Sequence, residues 1–429
     1  MFYIIEKQSQ LSQLSFGDCF VRFIPNNSNF HPALTNVSLV YVRPIEGRKG
    51  YVLCVNHNES LSLGWDIVQE WLLTNTGSLW VLNKKQSMHW FPHGEKLYDV
   101  NLINPVDLDK ISNKECIDYY YKKYPNLPNI NALIPISKHY EESELIFGMV
   151  QNTIKNFEPN DQFNFQNSYT SDVFYRIEKN GVKVDKNCFI SYYRDKLHFP
   201  EFNLSKGKIY SQYNLYNVTS RPSNVYNSIN FAALNKENGE RQCYIPENDR
   251  FIEIDFQGYH PRLIGELIGF DFPEYKNTYE YLGWILGVSK QEAKELTFKQ
   301  LYGGVWEEYK DKPFFKNVAS FTQCVWLEYQ AKGLYSTDNK IFIQDKEMTP
   351  SKLFNYIVQS YETSTNVKLL KSVLSFLEDK KTKLVLYTYD AFLFDYSEED
   401  GDILTQITNL LQYPVGIKQG KTYHGLEKI

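Results

Sequence analysis

The chain has 429 residues, of which 42% are hydrophobic and 16% aromatic, and its formal net charge is −5. This length exceeds what one hydrophobic core usually serves, so two or three domains are expected. The acidic balance excludes a protein that holds nucleic acid through its overall charge, and any such contact must use local basic patches. The 33 tyrosines and 28 phenylalanines suit large cores and also base stacking.

Cysteine spacing and apolar runs indicate where the protein resides. The six cysteines are widely spaced and form no CxxC pair or Cys/His cluster, so we expect no structural zinc and a reducing compartment. The first segment, MFYIIEKQSQLSQL, is charged too early for a secretion signal. No run of about 18 apolar residues exists, so no transmembrane helix is expected. These features predict a cytoplasmic protein without a membrane partner.

Residues 1 to about 105 alternate short apolar runs with turn signals. This pattern predicts a mixed sheet with flanking helices. The predicted strands are FVRFIP, VSLVYVRP, GYVLCVNH and SLWVLN, and the predicted helix is SLGWDIVQEWLLTN. Residues 106 to about 165 are polar and aromatic, and they predict helices and loops that lead to a connection near FEPNDQFNFQNS.

The middle of the chain predicts fewer regular elements. SDVFYRIEKNGVKVD predicts a helix that ends near Gly181 and a short strand after it. Polar segments rich in Asn, Ser and Tyr follow from Asn203 to Asn230. From Arg250 the pattern changes to strand, helix and acidic hairpin, and it continues to the C-terminus.

Two acidic residues stand at the ends of predicted strands. In FIEIDFQGYHPRLIGELIG, alternating apolar residues lead to Asp255, at a sheet edge or, alternatively, as a helix cap. In LVLYTYDAFLFDY, two strands meet near Asp390, which is alternatively an ordinary turn residue. Asp395 lies farther along and is not assigned a role. Together Asp255 and Asp390 favour a site for two divalent cations, which carboxylate oxygens bind well.

A basic and aromatic stripe lies between these acids. Lys290, Lys294, Phe298 and Tyr302 recur every four residues and so share one face of a predicted helix. A lysine can neutralise a triphosphate, and an aromatic ring one turn away can stack on a base. The alternative is an amphipathic helix that buries Phe298, Leu301 and Tyr302. Metal-binding acids beside such a stripe favour nucleotidyl transfer.

The order of these blocks resembles the family A DNA polymerases. DFQGYHPR is similar to that family's Asp-Tyr-Ser-Gln type block ending in Arg, KELTFKQLYGG to its Lys, aromatic and Tyr-Gly block, and YTYDAF to its His-Asp-Glu block. The matching residues are Asp255, Arg262, Lys294, Phe298, Tyr302, Gly303 and Asp390. Ala391 departs from the third block, where the family has an acid.

Shorter blocks extend the resemblance over about residues 170 to 429. NVTSRPSN resembles the family's Thr-Gly-Arg-x-Ser segment at Thr219, Arg221 and Ser223, and NYIVQSYET resembles its Asn-x3-Gln element at Asn355 and Gln359. RIEKNGVKVD resembles the entry to the palm, and VGIKQGKTYHGL the closing strand. The blocks occur in the family's order.

The resemblance implies an α/β (α+β) fold with two domains. An exonuclease-like mixed-sheet domain is expected over residues 1–165, and a right-hand polymerase domain with palm, fingers and a reduced or absent thumb over residues 166–429. The thumb is expected to be small because Asp185 to Thr219 is too short for a long helical insertion. The expected acid pair of the exonuclease is missing near Arg22 and Asn26, and the later element keeps Asn83 without its acid.

The function implied is template-directed addition of dNTPs to a primer 3′-end by two-metal nucleotidyl transfer, with low processivity and no proofreading. Primer-template DNA and dNTPs are the implied partners, with a processivity factor or other replisome protein as a further candidate. The implied cofactor is a pair of Mg²⁺ ions, which Mn²⁺ can replace, at Asp255, Phe256 and Asp390. Catalysis would also use Lys294. Substrate would contact Lys290, Phe298, Tyr302, His260 and Arg262, and DNA would contact Arg221, Gln359, Asn355 and Thr219.

Other readings stay open at this stage. His260 stands where many family members have a Glu that excludes the ribose 2′-hydroxyl, so relaxed rNTP discrimination, or a relation to single-subunit phage RNA polymerases, is one alternative. A polymerase-fold DNA-binding scaffold with weak or no chemistry is another. A two-metal nuclease leaves the stripe on the helix unexplained. The compact chain suggests a phage or mobile-element replication enzyme by analogy.

Overall fold

Two larger sheets organise the chain, one near each terminus. The structure is a computed structural model that describes residues 3–108, 114–197, 202–225, 228–273 and 277–429. Helices and strands alternate along it and confirm the predicted α/β class. Among the described residues, no helix has both the length and the apolar character needed to cross a membrane.

The N-terminal sheet is mixed, as predicted. Its strand order is β1-β4-β3-β2-β5-β6, in which β2, β3 and β4 pair antiparallel while β1, β5 and β6 join in parallel. The strands are Tyr3–Ile5 (β1), Cys19–Pro25 (β2), Val37–Pro44 (β3), Tyr51–Cys54 (β4), Leu79–Val81 (β5) and Leu97–Asp99 (β6).

Helices cover both faces of this sheet, and each face has its own core. Trp71 and Leu72 pack with the strands on one face, while Ile146 and Phe147 pack with them on the other. The helices are Gln8–Leu11 (α1), Trp65–Thr74 (α2), Lys84–Ser87 (α3), Lys114–Lys123 (α4), Ile136–Lys155 (α5) and Asp161–Phe165 (α6). The predicted first helix and the helical stretch after residue 106 are confirmed, except that residues 109–113 lie outside the described residues.

The chain passes from the first pair of cores to the next within one helical run. α6 continues through a π-helical turn, Gln166–Thr170, into α7, Ser171–Glu178. Phe163 packs in a core of the N-terminal sheet, whereas Phe165 packs in the core below the C-terminal sheet. The predicted division between residues 165 and 166 stays a prediction, but the change of core occurs at this point.

Short elements follow α7. Gly181, with φ of 61°, precedes the predicted short strand, so the helix end and strand are confirmed. Between Asp185 and Thr219, the described residues hold α8 as their one α-helix. The elements are Val182–Lys183 (β7), Lys186–Tyr193 (α8), Lys208–Ile209 (β8), Tyr213–Asn214 (β9) and Ser223–Asn224 (β10), with β7 paired to β8 and β9 to β10.

The C-terminal sheet is antiparallel, with the order β14-β15-β11-β16-β17. Its central strand alternates as period-2 patterning requires, because Ile252, Ile254 and Phe256 enter the core while Glu253 and Asp255 face the other way. Burial of each such apolar side chain contributes about 1.5–3 kcal/mol. The strands are Arg250–Phe256 (β11), Lys383–Tyr387 (β14), Ala391–Tyr396 (β15), Val415–Gly420 (β16) and Glu427–Lys428 (β17).

Helices pack against the apolar face of this sheet and extend beyond it. α13 crosses below the sheet, and its other half packs against α11 and α12 through Phe354 and Val358. The elements are Tyr259–Ile268 (α9), Thr278–Leu286 (α10), Lys290–Gly303 (α11), Pro313–Lys332 (α12), Leu334–Ser336 (β12), Ile341–Ile343 (β13), Pro350–Phe376 (α13) and Ile403–Leu411 (α14).

Two buried carboxylates join the N-terminal sheet to the segment that precedes the C-terminal sheet. Glu178, 1% exposed, accepts from the Lys85 ammonium at 2.5 Å and from the backbone N–H of Tyr213 at 2.5 Å. Burial alone would raise the pKa of Glu178, but Lys85 and His89 bring it down to about 2. Asp99 accepts from the Tyr216 hydroxyl at 2.8 Å, and burial raises its pKa to about 7. A buried ion pair and buried hydrogen bonds therefore hold the N-terminal sheet and the segment before the C-terminal sheet together.

Substitution Lys85→Met should lower the free energy of unfolding by about 3–5 kcal/mol, because it leaves the Glu178 carboxylate buried without its cation. Thermal and urea unfolding would measure the loss. Adding Glu178→Gln to this variant should recover most of it. The surface pair Lys380–Asp379 provides a control, since solvent screens this pair and Lys380→Met should cost much less. Equal losses for Lys85→Met and Lys380→Met would contradict this account.

Candidate active site

The turn from β11 into α9 positions Asp255. Gly258 has φ of 61° and is the N-cap of α9, and a Cβ there would lie 1.9 Å from the Thr278 hydroxyl oxygen. Only glycine fits this close, left-handed turn. Because the cap is Gly258, the alternative of Asp255 as a helix cap is wrong. Asp255 stays on the strand, with a half-buried side chain at the end of the sheet.

The sheet register brings Asp255 and Asp390 together. Asp255 pairs with Ala391 across β11 and β15, and the backbone N–H of Phe256 donates to the carbonyl oxygen of Asp390 at 2.9 Å. Burial raises the pKa of Asp255, and the neighbouring Asp390 carboxylate raises it further. The two carboxylates are therefore close enough to interact electrostatically, although 134 residues separate them in the chain.

The turn that carries Asp390 has a strained backbone. Tyr389 has φ of 71°, in the left-handed region that non-glycine residues rarely adopt. Its carbonyl accepts from the Asn366 amide at 3.0 Å, and the Arg221 guanidinium lies 4.0 Å from its ring centroid. Ser220, next to Arg221, is also left-handed with φ of 60°. Such strain persists where surrounding contacts hold it, and here it flanks the carboxylate pair.

Charged groups around Asp390 form a network that the sequence did not reveal. Glu362 on α13 is fully buried and lies 3.1 Å from the Arg221 Nε and 3.3 Å from the His260 Nε2. Burial raises the pKa of Asp390, Glu362 raises it further, and His260 and Arg221 oppose the rise. One signal in the sequence existed, since Asn355, Gln359 and Glu362 are spaced by four and three residues on one helix face.

Different charges surround Asp255. Lys418 on β16 lies 2.8 Å from the Glu253 carboxylate and 3.7 Å from the Asp255 carboxylate. Lys418 and, to a smaller extent, Lys236 oppose the rise in the pKa of Asp255. Neither lysine was singled out from the sequence, because both positions depend on how distant segments pair.

In the stripe on α11, Lys290, Lys294 and Tyr302 are exposed and Phe298 is half-buried. Phe298 and Tyr302 stack with ring centroids 5.8 Å apart, and the Tyr302 hydroxyl lies 3.2 Å from the His260 Nδ1. Tyr302 is 39% exposed, so the alternative that places it in the core is wrong, although Leu301 is buried. Lys294 lies 5.9 Å from the Tyr279 ring centroid, beside the stripe.

The remaining predicted site residues each have a partner within the protein. Lys290 pairs with Glu280 at 2.8 Å on an exposed surface. The Thr219 hydroxyl donates to the Gln359 amide oxygen at 3.1 Å. The Asn355 amide donates to the Tyr302 carbonyl at 3.4 Å, and the Arg262 Nε donates to the Gln257 carbonyl at 3.3 Å. All these side chains come from α9, α11, α13 or the segment before β10.

The carboxylate pair offers suitable ligands for Mg²⁺, which prefers oxygen atoms. The Phe256 side chain lies in the core, so only its carbonyl could contribute. Among the described residues, one group of three possible metal ligands has its atoms within 4.8 Å, namely His31, His89 and Glu178. Lys85 already neutralises that carboxylate, so the oxygen-rich pair at the sheet end suits Mg²⁺ better.

Comparison with known proteins bears on the fold. No protein-family model and no curated protein matches the chain. Among the solved structures that match the chain, the polymerase domain of Pol1 from M. smegmatis in complex with DNA primer-template and dNTP aligns with a TM-score of 0.64 and 12% identity, over 97% of this chain and 98% of that chain. The chain has a polymerase-domain fold. In this polymerase fold we refer to the C-terminal sheet as the palm and to α10, α11 and α12 as the fingers.

Substitution Glu362→Gln should destabilise the protein, because Arg221 and His260 would lose their buried counter-ion. The loss in free energy of unfolding should be smaller than for a fully buried pair, which typically costs about 3–5 kcal/mol when it is broken. The reason is that the Arg221 side chain keeps 27% exposure. Thermal unfolding would measure it. The exposed Glu266, which accepts from Tyr361 and Tyr413, provides a control at Glu266→Gln. A smaller loss at Glu362 than at Glu266 would count against the network.

Proposed function

We propose that the protein is a template-directed DNA polymerase related to family A, which adds dNTPs to a primer 3′-end. The observation that carries this proposal is the meeting of Asp255 and Asp390 at one end of the palm. The fingers form the other side of this site, because the Tyr302–His260 contact connects the stripe on α11 to the region of the carboxylate pair. The polymerase-domain fold supports the proposal independently.

The proposed reaction is an in-line displacement. The primer 3′-hydroxyl attacks the α-phosphorus of the dNTP and a new P–O bond forms. The bond between the α-phosphorus and the α,β-bridging oxygen breaks, and that oxygen leaves as part of pyrophosphate. The hydroxyl proton passes to solvent. Mg²⁺ ions held by Asp255, Asp390 and the Phe256 carbonyl would supply Lewis-acid stabilisation of the attacking and leaving oxygens, and Mn²⁺ could replace them.

The side chains of the fingers would bind the nucleotide. Lys294, with Lys290 once it leaves Glu280, would neutralise the phosphates as charge develops on pyrophosphate. The stacked rings of Phe298 and Tyr302 would support the incoming and templating bases. Arg262 lies on α9, beyond the turn that follows Asp255, and would act from the palm side.

Sugar selectivity is proposed to depend on His260. Glu362 and Tyr302 fix both ring nitrogens of this histidine, at 3.3 Å and 3.2 Å. A ring held on both sides can exclude a 2′-hydroxyl by its volume. Comparison of dNTP with rNTP incorporation would separate this proposal from a polymerase that accepts ribonucleotides.

DNA contacts are proposed for Thr219, Arg221, Asn355 and Gln359, which lie on the palm side of the fingers. Their partners within the protein fix their positions, so they would set the register of the duplex and not read its sequence. Because α8 is the only α-helix described between Asp185 and Thr219, few phosphates would be neutralised there. We therefore propose low processivity, with a clamp or other replisome protein as a candidate partner.

The N-terminal sheet is proposed to be a degenerate exonuclease-like domain that serves as a scaffold. Arg22 pairs with Glu142 at 2.5 Å, and the Asn83 side chain accepts from the Gln86 N–H as the cap of α3. Both positions thus have structural roles. The buried links through Glu178 and Asp99 hold the segment that carries Arg221, which is consistent with a scaffold.

Substitution Asp390→Ala or Asp255→Ala should reduce primer extension with Mg²⁺ by about 10³-fold or more, because several kcal/mol of charge stabilisation would be lost. Gel-based extension of a primed template would measure this, and binding of the same duplex should remain. The exposed Asp379→Asn variant is the control. Extension by Asp390→Ala at the wild-type rate would contradict a catalytic metal site at Asp390, and absence of extension by the wild type would leave only the DNA-binding scaffold.

The purified protein should leave a mismatched 3′-terminus intact, and in the presence of a DNA trap its products should stay short, because it holds little duplex. Products thousands of nucleotides long from one encounter would refute the low processivity. Degradation of the mismatched end, at the same rate in Asp255→Ala protein, would show a working nuclease elsewhere in the chain.

A further inference from the structure

The open face of the palm beside Asp255 has a cation that the proposed reaction does not yet use. Lys418 pairs with Glu253 across β16 and β11, and Gly416 pairs with Asp255, so these side chains share one face of the sheet. The Lys418 side chain keeps 37% exposure although it contacts two carboxylates. One of its three N–H donors suffices for Glu253, which leaves donors for a ligand.

Small residues leave space around this lysine. Asp255 is flanked by the small residues Ala391 on β15 and Gly416 on β16, and the nearest side-chain atom to Gly416 is the amide nitrogen of Gln257, at the end of a flexible side chain. The face therefore presents Lys418 beside two small residues, which suits an anionic ligand.

The two carboxylates have different neighbours, and this difference distinguishes the side of the pyrophosphate from the side of the primer strand. Arg221 and His260 surround Asp390, and His260 connects through Tyr302 to the lysines of α11. Lys418 and Lys236 surround Asp255. In an in-line displacement the attacking oxygen and the leaving pyrophosphate lie on opposite sides of the phosphorus. If α11 holds the pyrophosphate, the primer strand must approach from the side of Lys418.

We propose that Lys418 binds the primer-strand phosphates next to the 3′-end. Glu253 acts as a positioning residue. It keeps the Lys418 ammonium on the open face of the palm and prevents it from neutralising Asp255 completely. The inference rests on the proposed polymerase function for its orientation. The contact with DNA can be measured without any chemistry.

The test measures binding of a fluorescein-labelled primer–template duplex by anisotropy, over a series of salt concentrations. Lys418→Met should weaken binding by about 3–10-fold and make the slope of log K against log salt shallower by about 1, as expected for one lost phosphate contact. Lys418→Arg should keep the slope. Lys421→Met is the matched control, because Lys421 follows β16 directly and its ammonium donates to the Asp249 carbonyl at 2.6 Å.

A second arm identifies the strand. A neutral methylphosphonate at the last primer linkage should weaken wild-type binding but have little further effect on Lys418→Met, whereas the same change in the template strand should weaken both proteins equally. Coupling of this kind marks a direct contact. Additive losses, or a wild-type salt slope in Lys418→Met, would overturn the proposal. Lys418 would then be a counter-ion of Asp255, and its removal would change the half-saturating Mg²⁺ concentration alone.

The two hypotheses fail separately. Strand-specific coupling in a protein that does not extend primers would keep the Lys418 contact and reject polymerase activity. Primer extension by the wild type, without coupling between Lys418 and the primer-strand methylphosphonate, would support polymerase activity and reject the Lys418 contact. Thermal unfolding of Lys418→Met should match that of Lys418→Arg, so that weaker binding cannot come from loss of fold.

Discussion

The whole site depends on two carboxylates being held at the end of one antiparallel sheet. Placing two like charges in a half-buried position is unfavourable, because burial raises the pKa of Asp255 and the neighbouring Asp390 carboxylate raises it further. The backbone maintains the arrangement, because the pairing of β11 with β15 and the Phe256–Asp390 hydrogen bond leave neither residue free to move away. A divalent cation would remove the repulsion, which is why the arrangement suits metal-assisted chemistry.

Around this pair, the protein distributes its own charges unequally. Glu362 is buried on α13 and contacts Arg221 from the segment before β10 and His260 from α9, so three distant parts of the chain meet at one anion. In a low-dielectric interior such a group is stable only if its partners stay in place. His260 also contacts Tyr302, and the network therefore links the palm to the exposed stripe of the fingers. On the other side of the pair, Lys418 and Glu253 form a more exposed ion pair.

The N-terminal sheet contributes to this arrangement from a distance. Its α3 and β6 supply Lys85 and Asp99, which hold Glu178 and Tyr216 on either side of β9. The strained Ser220 and the Arg221 beside it follow within a few residues. This segment packs its apolar side chains in a core shared with the C-terminal sheet, and the buried hydrogen bonds to the N-terminal sheet add to that packing. These buried contacts are the physical basis of the proposed scaffold role.

The sequence by itself determined the features that local periodicity encodes. The alternation in β11, the four-residue spacing on α11 and the apolar runs of the first sheet predicted their elements, because strand and helix geometry repeat over a few residues. It also placed Asp255 and Asp390 at strand ends. Only the tertiary structure decided which charges meet there. Glu362 shares a helix face with Asn355 and Gln359, but that spacing does not reveal its contacts with Arg221 and His260. Lys418 likewise meets Glu253 only through strand register. Such contacts arise from helix crossing and strand register between distant segments, which no short-range pattern records.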